Sequence, residues 1–206
     1  MTDSPSTSDE WFTEAFAQAP IMAILRGMGV ERSLELAGVA WDLGIDAVEV
    51  PIQSDEDRDA LAAVVAAGRE RGKQVGAGTI IDDETVRLAA EAGAAFTVSP
   101  GFDIDVVRAS EAAGMPSLPG VATATEVQLA RLAGLRWLKA FPASVLGTEW
   151  FTTMRGPFPD INFIATGGMN ARNAPQFLSS GVRVVAVGSA LADPEELARL
   201  AEVMPR

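Results

Sequence analysis

Lys139 is one of only two lysines among the 206 residues, the other being Lys73. It sits in the apolar run Trp137-Leu138-Lys139-Ala140-Phe141-Pro142, in a chain that carries nearly all its positive charge as arginine. Arginine keeps its proton in a protein, whereas a desolvated lysine can lose it, and only a neutral amine attacks a carbonyl. A covalent imine is therefore one reading of Lys139; the other is an amine at a strand end snorkelling to water. Glu49, within the β-branched stretch Ala47-Val48-Glu49-Val50-Pro51-Ile52, is a second ionisable group in apolar company. Burial raises such a carboxyl's pKa unless a cation lies near it. It can move protons, or it can simply be half of a buried ion pair with Lys139.

Anion-binding chemistry is the other theme. Thr166-Gly167-Gly168 and Gly188-Ser189 fit a phosphate site, because glycine lets backbone N–H groups approach an anion closely, although glycine also simply turns chains. Arg26 can fork onto a carboxylate or phosphate, or face solvent. Gly76-Ala77-Gly78-Thr79 has no phosphate-loop lysine; its small residues leave room for a substrate, with the Thr79 hydroxyl as donor.

Composition removes many alternatives. The chain has no histidine, cysteine or tyrosine. Imidazole acid–base chemistry, His- or Cys-ligated zinc, thiol nucleophiles and disulfides are thereby excluded. Proton transfer rests on Asp, Glu, Lys, hydroxyls or water. A net charge of −12 repels nucleic acid and anionic membrane surfaces, so neither is an expected partner. No apolar stretch approaches a membrane span, and the opening MTDSPSTSDEW lacks a basic start and an apolar signal core, so a cytoplasmic protein is expected. With 48% hydrophobic residues and a mean hydropathy of +0.18, one chain can bury a sizeable core.

These residues must be positioned by a repeating unit. Apolar strand candidates at 21–26, 45–52, 74–80, 95–100, 116–122, 136–142, 162–167 and 183–188 alternate with amphipathic segments at 31–43, 55–69, 83–92, 104–113, 124–133 and 173–179. Gly44, Gly93, Gly114, Gly134 and Gly181 stand where helix C-caps are wanted. Asp82 or Asp83, Thr123 or Thr125, and Asn170 or Asn173 supply N-caps. Only 148–156 reads poorly as a helix. Eight strand–helix units predict an α/β fold, a single (β/α)8 TIM barrel spanning 1–206 as one domain. An open doubly wound sheet is the alternative, but no G-x-G-x-x-G opens the first helix. Residues 1–9 are expected to be flexible, and 10–19 to form an extra helix covering the N-terminal mouth. In such a barrel chemistry collects at the C-terminal strand ends, where Arg26, Glu49, Thr79, Lys139, Thr166-Gly167-Gly168 and Gly188-Ser189 fall. The second and sixth strands share a parity, so Glu49 and Lys139 can face one another.

The ordered fragments Ala23-Ile24-Leu25-Arg26-Gly27, Val48-Glu49-Val50-Pro51, Gly76-Ala77-Gly78-Thr79, Ser99-Pro100-Gly101, Pro119-Gly120-Val121-Ala122-Thr123-Ala124-Thr125-Glu126, Leu138-Lys139-Ala140-Phe141-Pro142-Ala143, Thr166-Gly167-Gly168 and Val187-Gly188-Ser189 resemble one family. It is that of the 2-keto-3-deoxy-6-phosphogluconate and 2-keto-3-deoxy-6-phosphogalactonate aldolases. The resemblance implies a homotrimeric class I aldolase that splits a phosphorylated 2-keto-3-deoxy sugar acid into pyruvate and glyceraldehyde 3-phosphate. It implies Lys139 as the Schiff-base lysine and Glu49 as the proton carrier through a water. Arg26 and Thr79 would hold the carboxylate end, and Pro100 and Phe141 would shape the pyruvate pocket. Gly167, Gly168, Gly188 and Ser189 would take the phosphate. Neither metal nor other cofactor is called for, because the protonated imine is the electron sink.

The chain departs from the gluconate pattern at Gln53, where that type carries arginine. An amide there, with Pro51, resembles the galactonate type, while Thr166 resembles the gluconate type. Thr166 precedes the glycines expected to take the phosphate, between them and the imine carbon, and is the expected contact to the C4 hydroxyl. The alternatives are a 4-hydroxy-2-oxoglutarate aldolase, a metal-dependent barrel enzyme, which would want more strand-end carboxylates, and a phosphosugar-binding barrel without turnover.

Overall fold

The computed structural model describes residues 7–204. Along the chain run α1 (Thr7–Ala15), β1 (Ile21–Ile24), α2 (Gly29–Asp42), β2 (Val48–Pro51), α3 (Asp55–Glu70), β3 (Val75–Gly78), α4 (Asp83–Ala92), β4 (Thr97–Val98) and α5 (Ile104–Ala112). There follow β5 (Ser117–Leu118), β6 (Gly120–Val121), α6 (Ala124–Leu132), β7 (Trp137–Ala140), α7 (Ala143–Met154), β8 (Asn162–Thr166), α8 (Ala174–Ser179), β9 (Val184–Val187), a short 3₁₀ turn (Ser189–Ala192) and α9 (Pro194–Val203). Short polar side chains start the helices. Ser54, Asp82, Asp103 and Thr123 are extended residues that accept an N–H from the first turn of α3, α4, α5 and α6. Asp82 with Thr85, and Thr123 with Glu126, complete reciprocal capping boxes.

All strand pairs are parallel, in the order β5-β4-β3-β2-β1-β9-β8-β7-β6. The sheet is brought round on itself by one stretch of chain. Ser117–Leu118 pairs with β4, and Gly120–Val121 pairs with β7. The expected single strand at 116–122 is therefore split at Pro119, which has no N–H to give either neighbour. The Pro119 carbonyl still accepts from Lys139 N–H at 2.9 Å. The result is a TIM-like barrel with eight strand positions and helices outside.

Strand residues alternate between two apolar layers. Ala23, Val48, Ala77, Leu138, Ala165 and Val185 face the helices, while Met22, Ala47, Phe96, Val98, Trp137 and Ile164 fill the barrel. α1 closes the N-terminal mouth. Phe12 is fully buried with its ring edge-on to Phe96 at 5.8 Å, and Phe16 lies 5.4 Å from Trp137. The helix starts and ends earlier than the expected 10–19. Ser8 and Asp9, expected to be flexible, lie within it: Ser8 donates to Glu111 and the Asp9 carboxylate accepts Arg136 N–H at 2.7 Å. Residues 1–6 of that expected segment lie outside the described residues.

Two further elements differ from expectation. The stretch 148–156, which reads poorly as a helix, is largely helical. Its local pattern is broken because α7 is two helical pieces joined at Gly147 (φ 72°, ψ 165°), a left-handed backbone that suits glycine. α9 is the second. It was not anticipated, and it starts with Asp193 as cap, Pro194 in its first turn and Leu200 fully buried.

Candidate active site

The inward parity that places Met22, Phe96 and Trp137 in the lower barrel places Glu49 and Lys139 one pleat nearer the C-terminal mouth. Glu49 is fully buried and Lys139 is 2% exposed. Their registers fix them: Glu49 is opposite Ile24 and Gly76, and Lys139 is opposite Gly120 and Ile164. Neither Glu49 oxygen accepts a hydrogen bond from a protein group. The carboxylate and the ammonium nevertheless act on each other through space.

Burial dominates both titrations. It pushes the Glu49 carboxyl above its ordinary range, against the opposing pull of the Lys139 and Arg26 charges. It pulls the Lys139 ammonium below its ordinary range, helped by Arg26 and opposed by Glu49. Both groups are driven toward their neutral forms. A lysine in that state has the free pair needed to attack a carbonyl. The Lys139 Nζ stands 5.2 Å from the centre of the Phe141 ring, whose face stabilises the cation and any iminium formed there.

Glycines make the room, but not in the way the sequence suggested. A Cβ on Gly78 would overlap the Glu49 carboxylate, and one on Gly76 would overlap the Phe96 ring. These glycines admit protein side chains rather than leaving space for a ligand. Gly120 serves the Pro100 carbonyl in the same manner. Thr79, just beyond β3, has φ +63°, an outlier for a β-branched residue. Strain of this kind costs about 1–3 kcal/mol and persists where the surroundings enforce it.

The remaining expected residues ring the mouth. β8 and β9 are neighbours, so Gly167-Gly168 and Gly188-Ser189 lie side by side at its rim. Thr166 is 4% exposed, and its hydroxyl has no protein partner. Pro100 is exposed just past β4, and Phe141 is half-buried just past β7. Arg26 is exposed beyond β1, its Nη1 donating to Gln53 Oε1 at 2.6 Å. A groove of about 400 Å³ lies beside this mouth, between α3 and α4, and includes Thr79 and Gln53 in its walls. Glu49 and Lys139 do not line it.

Several supporting residues had no functional signal in the sequence. The loop after β8 is held by Asn173, which donates to the Gly168 carbonyl at 2.9 Å, and by Ser144, whose N–H donates to the Gly167 carbonyl at 3.1 Å. Buried Glu196 of α9 accepts Ala171 N–H at 2.7 Å and Arg172 Nε at 3.0 Å. Asn173 was legible only as a helix cap, and Glu196 reads as an ordinary surface glutamate. Among the described residues no group of three or more His, Cys, Asp or Glu is placed to hold a metal ion.

Residues 12–203 match the family described as "Aldolase: KDPG and KHG aldolase", a match that takes in every strand of this barrel. The chain belongs to the KDPG and KHG aldolase family. It is an aldolase, a carbon–carbon lyase. It is 35% identical over 173 residues to the 2-dehydro-3-deoxy-6-phosphogalactonate aldolase of Escherichia coli, covering 84% of each chain. It is 35% identical over 161 residues to the 2-dehydro-3-deoxy-phosphogluconate aldolase of Pseudomonas aeruginosa, covering 76% of this chain and 72% of that one. The KDPG aldolase of Legionella pneumophila, solved with pyruvate captured as a covalent carbinolamine, superposes with a TM-score of 0.78 at 27% identity, covering 92% and 94% of the two chains. Within the described residues no helix is long and apolar enough to cross a membrane.

Proposed function

We propose that this aldolase works through a Schiff base on Lys139 and cleaves 2-keto-3-deoxy-6-phospho sugar acids to pyruvate and glyceraldehyde 3-phosphate. The observation that carries the reading is a single buried lysine, drawn toward neutrality, sharing the barrel mouth with a buried glutamate. The neutral Nζ attacks the C2 carbonyl to give a carbinolamine, which loses water as a protonated imine. Glu49, protonated in its buried resting state, gives its proton through a water to the departing carbinolamine hydroxyl, and the carboxylate so formed takes the C4 hydroxyl proton back through the same water. The C3–C4 bond then breaks, its electron pair moving into the imine as an enamine, and the aldehyde leaves. The proton returns to C3, and water hydrolyses the imine to pyruvate and free Lys139.

Arg26 and Thr79 hold the carboxylate, Pro100 and Phe141 bound the three-carbon end, and the backbone at Gly167, Gly168, Gly188 and Ser189 receives the phosphate. Likeness to both the galactonate and the gluconate enzymes supports turnover of both C4 epimers, and the galactonate-type residues Gln53 and Pro51 favour the galactonate epimer. 4-Hydroxy-2-oxoglutarate is the shorter alternative, sharing the pyruvate half. A homotrimer in the cytoplasm completes the proposal.

Borohydride added with pyruvate should reduce the imine and attach a three-carbon adduct to Lys139. Lys139→Ala should abolish pyruvate release while circular dichroism stays unchanged. Adduct on Lys73 instead, or full turnover by Lys139→Ala, would overturn the assignment.

A further inference from the structure

Arg26 is held by a side chain that carries no charge. Its Nη1 donates to Gln53 Oε1 at 2.6 Å. Gln53 is itself tied to the first turn of α3: its backbone N–H donates to Asp57 Oδ2 at 3.1 Å, and Ser54 Oγ donates to the same oxygen at 2.9 Å. Ser54 in turn accepts Asp57 N–H, which closes the cap of the helix. A chain of hydrogen bonds therefore runs from a helix terminus, through an amide, to a guanidinium at the mouth.

The alternative anchors lie within reach in sequence. Asp55, Glu56 and Asp57 all follow Gln53, and a carboxylate on Arg26 would be the stronger partner. A carboxylate would also cancel the charge. Among the described residues Arg26 has no carboxylate within ion-pair distance, and its field reaches both Glu49 and Lys139. A guanidinium that must receive an anionic substrate and also favour a neutral lysine needs orientation without neutralisation. An amide oxygen supplies that.

We propose that Gln53 is a positioning residue that aims Arg26 at the substrate carboxylate while leaving its full positive charge available. The inference rests on the Schiff-base reading above. It goes beyond that reading in giving a specific duty to a residue that touches no reacting atom.

Two substitutions separate orientation from charge. Gln53→Met removes the acceptor at similar length, and Gln53→Glu keeps the acceptor but pairs with the guanidinium. The readout is borohydride trapping of pyruvate on Lys139, measured against pyruvate concentration and pH. Gln53→Met should raise the half-saturating pyruvate concentration about three- to tenfold, the net scale of one solvent-exposed hydrogen bond, with a smaller change in the saturating rate. Gln53→Glu should raise it at least as much. It should also move the rise of trapping with pH to higher pH, because an added negative charge favours protonated Lys139. Gln53→Asn, which keeps a neutral acceptor, should recover part of the wild-type affinity. Unchanged half-saturation and pH profiles in both Gln53→Met and Gln53→Glu, with normal trapping on Lys139, would overturn the role of Gln53 alone. Absence of trapping on Lys139 in the unsubstituted protein would remove the Schiff-base reading itself.

Discussion

At the scale of single residues, the choice between C4 epimers is the task we propose for a buried hydroxyl. Thr166 ends β8 immediately before the glycine pair, and its Oγ1 is buried without a protein hydrogen bond. A hydroxyl can donate or accept, and a buried one left unpaired is costly, so it separates substrates that differ only in the configuration of one oxygen. Thr166→Val should shift the ratio of kcat/KM values for the two epimers about tenfold, on the scale of one hydrogen bond. The check is pyruvate release from each epimer under matched conditions; equal losses on both would reduce Thr166 to a support for the turn. Lys139, Glu49 and Thr166 were legible because a charged or polar residue in an apolar run stands out. The use made of Gly76 and Gly78 was not legible. A glycine announces that something comes close, while what comes close, here Phe96 and the Glu49 carboxylate, is decided by neighbouring strands.

At the scale of elements, the α/β repeat was readable from periodicity and caps, and the exceptions share one cause. Each is an element whose order comes from distant partners. α1 has no strand before it among the described residues, yet Asp9, Thr13, Phe12 and Phe16 attach it to residues more than 80 positions away, at Phe96, Arg136 and Trp137. The split at Pro119 likewise shows only in the pairing of the residues on either side, with β4 before it and β7 after it. The separation of functions along the barrel axis gives a prediction. Phe12 fills the end of the barrel opposite Lys139, so Phe12→Ala should cost about 3–5 kcal/mol of stability, as for other fully buried phenylalanines. KM should remain near the wild-type value. Urea unfolding and steady-state assays on one preparation test both halves; an intact stability would mean that α1 is not a structural plug.

At the scale of the whole molecule, the protein is an anion built to receive an anion. Its net charge is −12, and the proposed substrate carries a carboxylate and a phosphate. Close to the mouth the balance is different, because among the described residues Arg26 has no carboxylate partner and the turns after β8 and β9 are the proposed seat of the phosphate. The two fields have different ranges. The repulsion is the sum of many exposed charges acting over tens of ångströms, whereas the attraction is made within a few ångströms by groups at the barrel rim. Salt screens the first far more than the second, since the Debye length falls from about 30 Å at 0.01 M to about 8 Å at 0.15 M. Adding sodium chloride over that range should therefore raise kcat/KM for the phosphorylated substrate, about two- to fivefold, by lifting a long-range penalty on encounter. A less highly charged substrate such as 4-hydroxy-2-oxoglutarate should respond less. A fall in kcat/KM with salt would mean that the local cation and donors, rather than the acidic surface, govern approach to the mouth.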